Sequence, residues 1–185
     1  MNNESNPKLR SVKTLRFVPA IAEDIALIFD FYASAIAHQK KVFNKHWQGF
    51  DHDMIAREIA EERQWKILSG DSVVCIFAID FNDAAIWLEK DNDPSIYLHR
   101  IVTHPEFRGN NYVTEIMKWA VGFGSAIGRK YVRMDTWGDN PKLISYYVKC
   151  GFKHIGIITP EKTAELPKHY NSISLALFEI PIVHV

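Results

Sequence analysis

The stretch HPEFRGNNYVTEIMKWAVGFGSAIG, residues 104–128, carries the residues best placed for chemistry. A strand ending at Val102, a tight turn and a helix beginning near Asn111 leave several backbone N–H groups without intrahelical partners. Those groups, with the positive end of the helix dipole, suit a phosphate or pyrophosphate. Arg108 adds a permanent positive charge at the mouth. An ordinary strand–turn–helix with a surface arginine is the competing reading. His99 lies in IYLHRIV, residues 96–102, alternating with Tyr97 and Ile101 on one strand face. An imidazole with an unperturbed pKa of about 6.5 suits taking a proton from an ammonium group, directly or through water. A core histidine bonded to a backbone carbonyl is the plainer alternative. His104 shapes the turn before Pro105, and with no third ligand at sensible spacing a His99/His104 metal site is not expected.

These residues need elements to hold them. Residues 1–11, polar and without an apolar core, read as a flexible tail rather than a signal peptide, and 12–185 as one domain. A strand over 14–18 closes at Pro19, and residues 22–37 place Ile25, Ile28, Phe29, Tyr32 and Ile36 at helical spacing. The segment HQKKVFNKHWQGF, residues 38–50, breaks that pattern and mixes bases with aromatics. Asp51 caps a second helix carrying Met54, Ile55 and Ile59. Residues 65–68 and 73–81 form a hairpin about Ser69-Gly70-Asp71, and 96–102 is a central strand. The helix after the loop repeats Val113, Ile116, Met117, Ala120, Val121 and Gly124, with Gly128 as its stop. Strand 131–137 leads to Asn140-Pro141, an N-cap followed by proline at the first helical position, and that helix ends at Gly151. Strands over 152–158 and 172–180 close the chain. The order gives a mixed α/β (α+β) fold.

Lysine plus arginine balances aspartate plus glutamate at 22 each, which favours neither a nucleic acid nor an anionic membrane as partner. No apolar run approaches the length of a membrane span. Cys75 and Cys150 sit in apolar surroundings and read as buried thiols of a reducing, cytoplasmic compartment.

LHRIVTHPEFRGNNYVTEIMKWA, then YVRMDTW, then NPKLISYYVKCGF, resembles the core of the GCN5-related N-acetyltransferase (GNAT) superfamily, closely over residues 96–152 and in element order from 14 to 180. The resemblance implies an acyl-CoA N-acyltransferase fold: a central twisted, mostly antiparallel sheet flanked by helices, with the strands at 96–102 and 131–137 splayed apart. It implies acetyl-CoA as co-substrate, no metal, and direct acetyl transfer to a primary amine. In such proteins the loop spanning Arg108, Gly109, Asn110, Asn111, Tyr112 and Val113 wraps the cofactor's pyrophosphate. This chain departs from the family pattern, placing Asn111 and Val113 where glycine or alanine is usual. Asparagine tolerates the turn, but β-branched Val113 is expected to crowd the phosphate, so weakened binding is expected.

The resemblance further makes Tyr147 the general acid for the leaving thiolate and Asn140 a contact to the pantetheine arm. Core packing and a helix cap are the respective alternatives, and neighbouring Tyr146 competes with Tyr147. Backbone N–H groups near Ile101, Val102 and Thr103 would stabilise the oxyanion. It places His99 where some relatives that acetylate arylalkylamines carry histidines. His46, Trp47 and Phe50 would form one wall of the acceptor pocket and residues 159–171 another, while Asp135 and Asp139 are candidates to pair an ammonium. The acceptor is a small-molecule or peptide amine, and a homodimer stays open, since dimers are common among folds with exposed terminal strands. A non-catalytic acyl-CoA-binding sensor or interaction module on the same fold is the rival reading.

Overall fold

A computed structural model describes residues 14–160 and 173–183 of the chain. Residues assigned to the N-terminal tail, most of the 159–171 loop and the start of the last strand lie outside the described residues.

Seven strands make one sheet: β1 (Leu15–Pro19), β2 (Gln64–Ser69), β3 (Ser72–Asp80), β4 (Ser95–Thr103), β5 (Tyr131–Trp137), β6 (Lys153–Ile158) and β7 (Leu175–Pro181), in the order β1-β2-β3-β4-β5-β7-β6. Every neighbouring pair is antiparallel except β4 with β5. That parallel ladder runs only from Ser95↔Tyr131 to Leu98↔Met134. Beyond it the two strands part, which is the splay expected from the sequence.

Helices α1 (Ile25–Val42), α2 (His52–Ala60), α3 (Ala84–Trp87), α4 (Tyr112–Ala126) and α5 (Pro141–Lys149) cover both faces. One face packs Cys75, Phe77, Ile96 and Leu98 against Val113, Ile116 and Ala120 of α4, with Ile144 and Tyr147 of α5 at its margin. The other packs Ile76 and Val102 against Ile28, Phe31 and Tyr32 of α1 and Ile55 and Ile59 of α2. On that same face Tyr97 meets Ile86 and Trp87 of α3. No helix among the described residues is long and apolar enough to cross a membrane. Both cysteines are buried and unpaired.

The local signals act as their chemistry requires. Asp51 accepts from the Met54 N–H at 2.8 Å and Asn140 from the Leu143 N–H at 3.1 Å, each satisfying an orphan donor of a first helical turn. Gly151 takes φ 108°, a left-handed angle, where α5 turns into β6. Two helices differ from expectation. Helix α1 runs to Val42, because His38, Gln39, Lys40 and Lys41 need no buried stripe to stay helical and the lysines complement the dipole in the last turn. Helix α3 is one turn long, followed by a 3-10 turn over Leu88–Asn92, too short for periodicity to reveal.

Strand β4 carries a bulge. Ile76 opposes Val102 and Ala78 opposes His99, so two residues of β4 face one of β3. Arg100 absorbs the extra residue at φ 49°. The alternation expected from the sequence therefore breaks: Tyr97 and His99 share a face, but Ile101 packs on the α4 side. His99 and Arg100 consequently both reach the α1–α2–α3 side.

Candidate active site

Where β4 and β5 separate, a cleft of about 680 Å³ opens through the sheet. It is bordered by Ile101, Val102 and Thr103 of β4, by Arg108, and by Asn140 and Tyr147 of the β5–α5 segment. Its wall on the α1–α3 side includes Trp47, Phe50, Asp83 and His99, with Asp135 of β5. Sequence-predicted residues from four separate segments thus meet at the fork, while Gly109, Asn110, Asn111, Tyr112 and Val113 lie outside its lining, in the loop that follows Arg108.

The loop before α4 has the backbone shape of an anion cradle. Gly109 takes φ 86°, and Asn111 takes φ 56°, ψ 37°, the left-handed conformation in which glycine is otherwise preferred. The turn is pinned by the Asn110 amide donating to the Phe107 carbonyl at 2.7 Å and the Asn111 amide donating to Thr114 Oγ1 at 2.9 Å. Successive N–H groups at such a turn converge on a concavity, and those of Tyr112 and Val113 open α4 without intrahelical acceptors. The residues present fit a pyrophosphate. The expected crowding by Val113 does not occur: its side chain is 6% exposed and faces the sheet with Ile116 and Ala120. Tyr112 is likewise turned inward at 7% exposure, leaving its N–H to the loop. Arg108 is exposed, and its Nη1 lies 3.2 Å from His38 Nδ1. Burial, then Arg108 and Lys41, push the His38 imidazole below its ordinary range, so it meets the guanidinium as a neutral acceptor.

Of the two adjacent tyrosines, Tyr147 borders the cleft and Tyr146 does not. Tyr147 packs against Phe178 and Phe152 at ring distances of 5.5 Å and 6.4 Å. Burial raises its phenol well above the usual range, helped by Tyr146, Cys150 and Asp135, so it stays a proton donor throughout the physiological range. Asn140 spends its side-chain oxygen on the helix cap, and its NH2 has no protein acceptor among the described residues.

His99 Nε2 stands 3.8 Å from Asp83 Oδ2. Burial, then Arg100 and Arg63, push the imidazole down to about 3. Burial, then Asp135, Asp80 and Asp91, push the Asp83 carboxyl up to about 8. Of the two, the carboxylate is the stronger proton acceptor. Because Asp83 holds a proton in the folded protein that it releases when unfolded, its contribution to stability is lost as pH rises toward 8. The His99 contribution has the opposite sign, lost as pH falls below about 6.5. Between pH 6.5 and 8 the Asp83 effect dominates, and a net loss on the order of 1 kcal/mol is expected. Thermal melts at the two pH values check it: Asp83→Asn is expected to flatten that slope, and an unchanged slope would remove Asp83 as its source.

Trp47 and Phe50 reach the cleft wall from a ring cluster with Tyr32, at 6.1 Å and 4.6 Å respectively. The Trp47 N–H donates to Gln39 Oε1 at 2.9 Å. His46 does not line the cleft; its Nδ1 lies 2.9 Å from the Trp47 carbonyl, where it braces the segment. Asp139 pairs with Lys45 and also lies off the cleft. Sequence reasoning missed His38 and Asp83. His38 sits on a stretch of α1 read as irregular, and Asp83 in a polar break with no periodic signal.

Residues 41–152 match the Acetyltransferase (GNAT) family. Among curated proteins the chain is 27% identical over 74 residues to the uncharacterized N-acetyltransferase YesJ of Bacillus subtilis (strain 168), a match spanning 40% of this chain and 41% of the relative. Among solved structures, an acetyltransferase of the GNAT family from Listeria monocytogenes 4b F2365 superposes with a TM-score of 0.73 at 20% identity, covering 90% of this chain and 94% of that one. The structure of yncA from Salmonella typhimurium with its cofactor acetyl-CoA gives 0.64 at 12% identity, covering 92% and 95%. At these identities the likeness to solved structures concerns the fold.

Proposed function

The chain belongs to the Acetyltransferase (GNAT) family, an acyltransferase family, and from that membership we propose that it moves an acetyl group from acetyl-CoA directly to a primary amine. The observation that carries the reading is the fork between β4 and β5, which brings Arg108 at the start of the cradle loop, Tyr147 and the His99–Asp83 pair to one cleft. The relative yncA, solved with acetyl-CoA, supports the choice of co-substrate.

Backbone N–H groups from Gly109 to Val113 and the Arg108 guanidinium hold the pyrophosphate, and the Asn140 NH2 and the β4 edge from Ile101 to Thr103 line the path of the arm. When bound, acetyl-CoA supplies an acetyl thioester ready for attack by an amine. Past Leu98 the β4 edge has lost its ladder to β5, which frees backbone N–H groups near Ile101 to Thr103 to donate to a developing oxyanion. Asp83 in its ionised form, the stronger proton acceptor of the pair, takes a proton from the incoming ammonium directly or through water, with neutral His99 beside it to orient the amine. Tyr147, on the opposite face of the fork, protonates the departing thiolate. Much of the rate comes from holding two substrates in register.

Calorimetric titration of acetyl-CoA into the protein tests the reading. Micromolar binding is expected, and Asn111→Gly should bind within about threefold of the natural chain, since position 111 already holds the glycine-like angle. Absence of binding would overturn the enzyme reading. Binding without turnover on any amine would leave the sensor reading in its place.

A further inference from the structure

We propose that Asp83, Asp135 and His99 form an ammonium subsite that selects acceptors whose amine-bearing carbon carries no carboxylate, so that alkyl and arylalkyl amines are taken and free amino acids are refused. The inference rests on the acetyltransferase reading of the cleft and adds the class of acceptor.

The three residues meet because of the sheet's register. Leu98 and Met134 are the last parallel partners, so His99 and Asp135 are the first residues past the fork on either strand. The bulge at Arg100 leaves His99 on the Tyr97 face, and Asp135 alternates with Met134 onto that same face. Asp83, at the N-terminal edge of α3, closes over them. One ligand atom from each of the three lies within 4.8 Å of the others.

One atom of this group lacks a partner. Asp83 Oδ2 is shielded from solvent and makes no hydrogen bond among the described residues, although Asp83 is one of the residues lining the cleft. A buried carboxyl oxygen left without a partner is costly, and a cation entering from the cleft in place of the carboxyl proton removes that cost. Donor atoms about 2.1 Å from a tetrahedral zinc stand about 3.4 Å apart, and two acceptors of hydrogen bonds of about 2.8 Å from one ammonium stand about 4.6 Å apart. His99 Nε2 and Asp83 Oδ2, 3.8 Å apart, lie between the two, so zinc is carried into the test as the competing cation.

The surroundings define what the ammonium is attached to. Asp80 also borders the cleft and Asp91 approaches Asp83, accepting from its backbone N–H at 2.8 Å. An anion fixed on the amine-bearing carbon would be driven against this group of carboxylates. Trp47, Phe50 and Phe43, the last stacked on Trp137 at 5.3 Å, offer the remaining wall as aromatic surface. An apolar body on the amine is therefore accommodated. Arg63 and Arg100 stand behind the site, and both are engaged elsewhere, Arg63 with Asp80 and Glu61 and Arg100 with Glu58.

The test is calorimetric titration of butylamine, 2-phenylethylamine and phenylalanine into the protein saturated with CoA, a state that binds without reacting. At least one of the two amines is expected to bind, and phenylalanine to bind about thirtyfold more weakly or not at all. Asp83→Asn is isosteric, should keep its CoA affinity as evidence of folding, and is expected to weaken amine binding by at least about tenfold. Phenylalanine binding as well as 2-phenylethylamine overturns the proposal. So does amine binding unchanged by Asp83→Asn, failure of both amines to bind the CoA-loaded protein, or tight binding of Zn2+ that displaces them. If CoA itself does not bind, the acetyltransferase reading fails first and the subsite with it. If CoA binds and the amines do not, only the subsite is lost.

Discussion

Tyr147→Phe is expected to lower kcat roughly a hundredfold or more while leaving acetyl-CoA affinity within about twofold. The substitution removes one oxygen and keeps the ring that packs on Phe178 and Phe152, so the cleft wall is preserved. What is lost is the only phenol of the adjacent pair that borders the fork. Because burial and nearby negative groups hold that phenol protonated far above neutrality, its removal should scale the rate by a constant factor across pH 6 to 9 and add no inflection of its own. Steady-state kinetics with acetyl-CoA titrations at three pH values read all of this. A variant that turns over normally would take the acid role from Tyr147. A variant that loses acetyl-CoA affinity in proportion to rate would make the tyrosine a wall of the binding site and nothing more.

Parts of this machinery were legible in the residues and parts were not, for reasons that differ by position. The strand YVRMDTW coincides with β5, because a short run bounded by Gly128 and Gly138 has one solution in a buried sheet. Asn140-Pro141 announced its helix through capping chemistry that depends on neighbours within three residues. The loop at 108–113 was legible in position but not in consequence. Whether Val113 crowds a ligand depends on which way the first turn of α4 rolls, and burying Tyr112 and Val113 against the sheet fixes that roll. The bulge at Arg100 left no local signature. An arginine takes φ 49° there because its guanidinium is held by Glu58 of α2 at 2.5 Å and Tyr32 of α1 at 3.2 Å, partners 42 and 68 residues away. Asp83 was hidden for the same reason. Its neighbours in sequence are ordinary turn residues, and its chemistry comes from β4 and β5, which reach it only after the sheet has formed.

The residue that makes the fork dependable is a buried cation, and its loss carries the largest expected cost in stability. Arg133 on β5 is 1% exposed. Its guanidinium donates to Glu179 of β7 at 2.8 Å, to Asp93 at 3.3 Å, to the Tyr97 hydroxyl of β4 at 3.4 Å and to the Lys90 carbonyl. It also lies over the rings of Trp87 and Tyr131 at 4.9 Å and 4.6 Å. One side chain thus ties β4, β5 and β7 together just below the point where β4 and β5 part, and ties them to the segment after α3. Arg133→Met keeps the length of the side chain but leaves the half-buried Glu179 without its cation. Breaking such a pair from one side costs about 3–5 kcal/mol, which for a chain of this size lowers Tm by roughly 6–20 °C. Adding Glu179→Gln to Arg133→Met should recover part of that loss, because the uncompensated charge is then gone. Calorimetric melts of the natural chain and the two variants decide the matter. A single variant within about 1 kcal/mol of the natural chain would show that ring packing, not the ion network, holds the base of the fork.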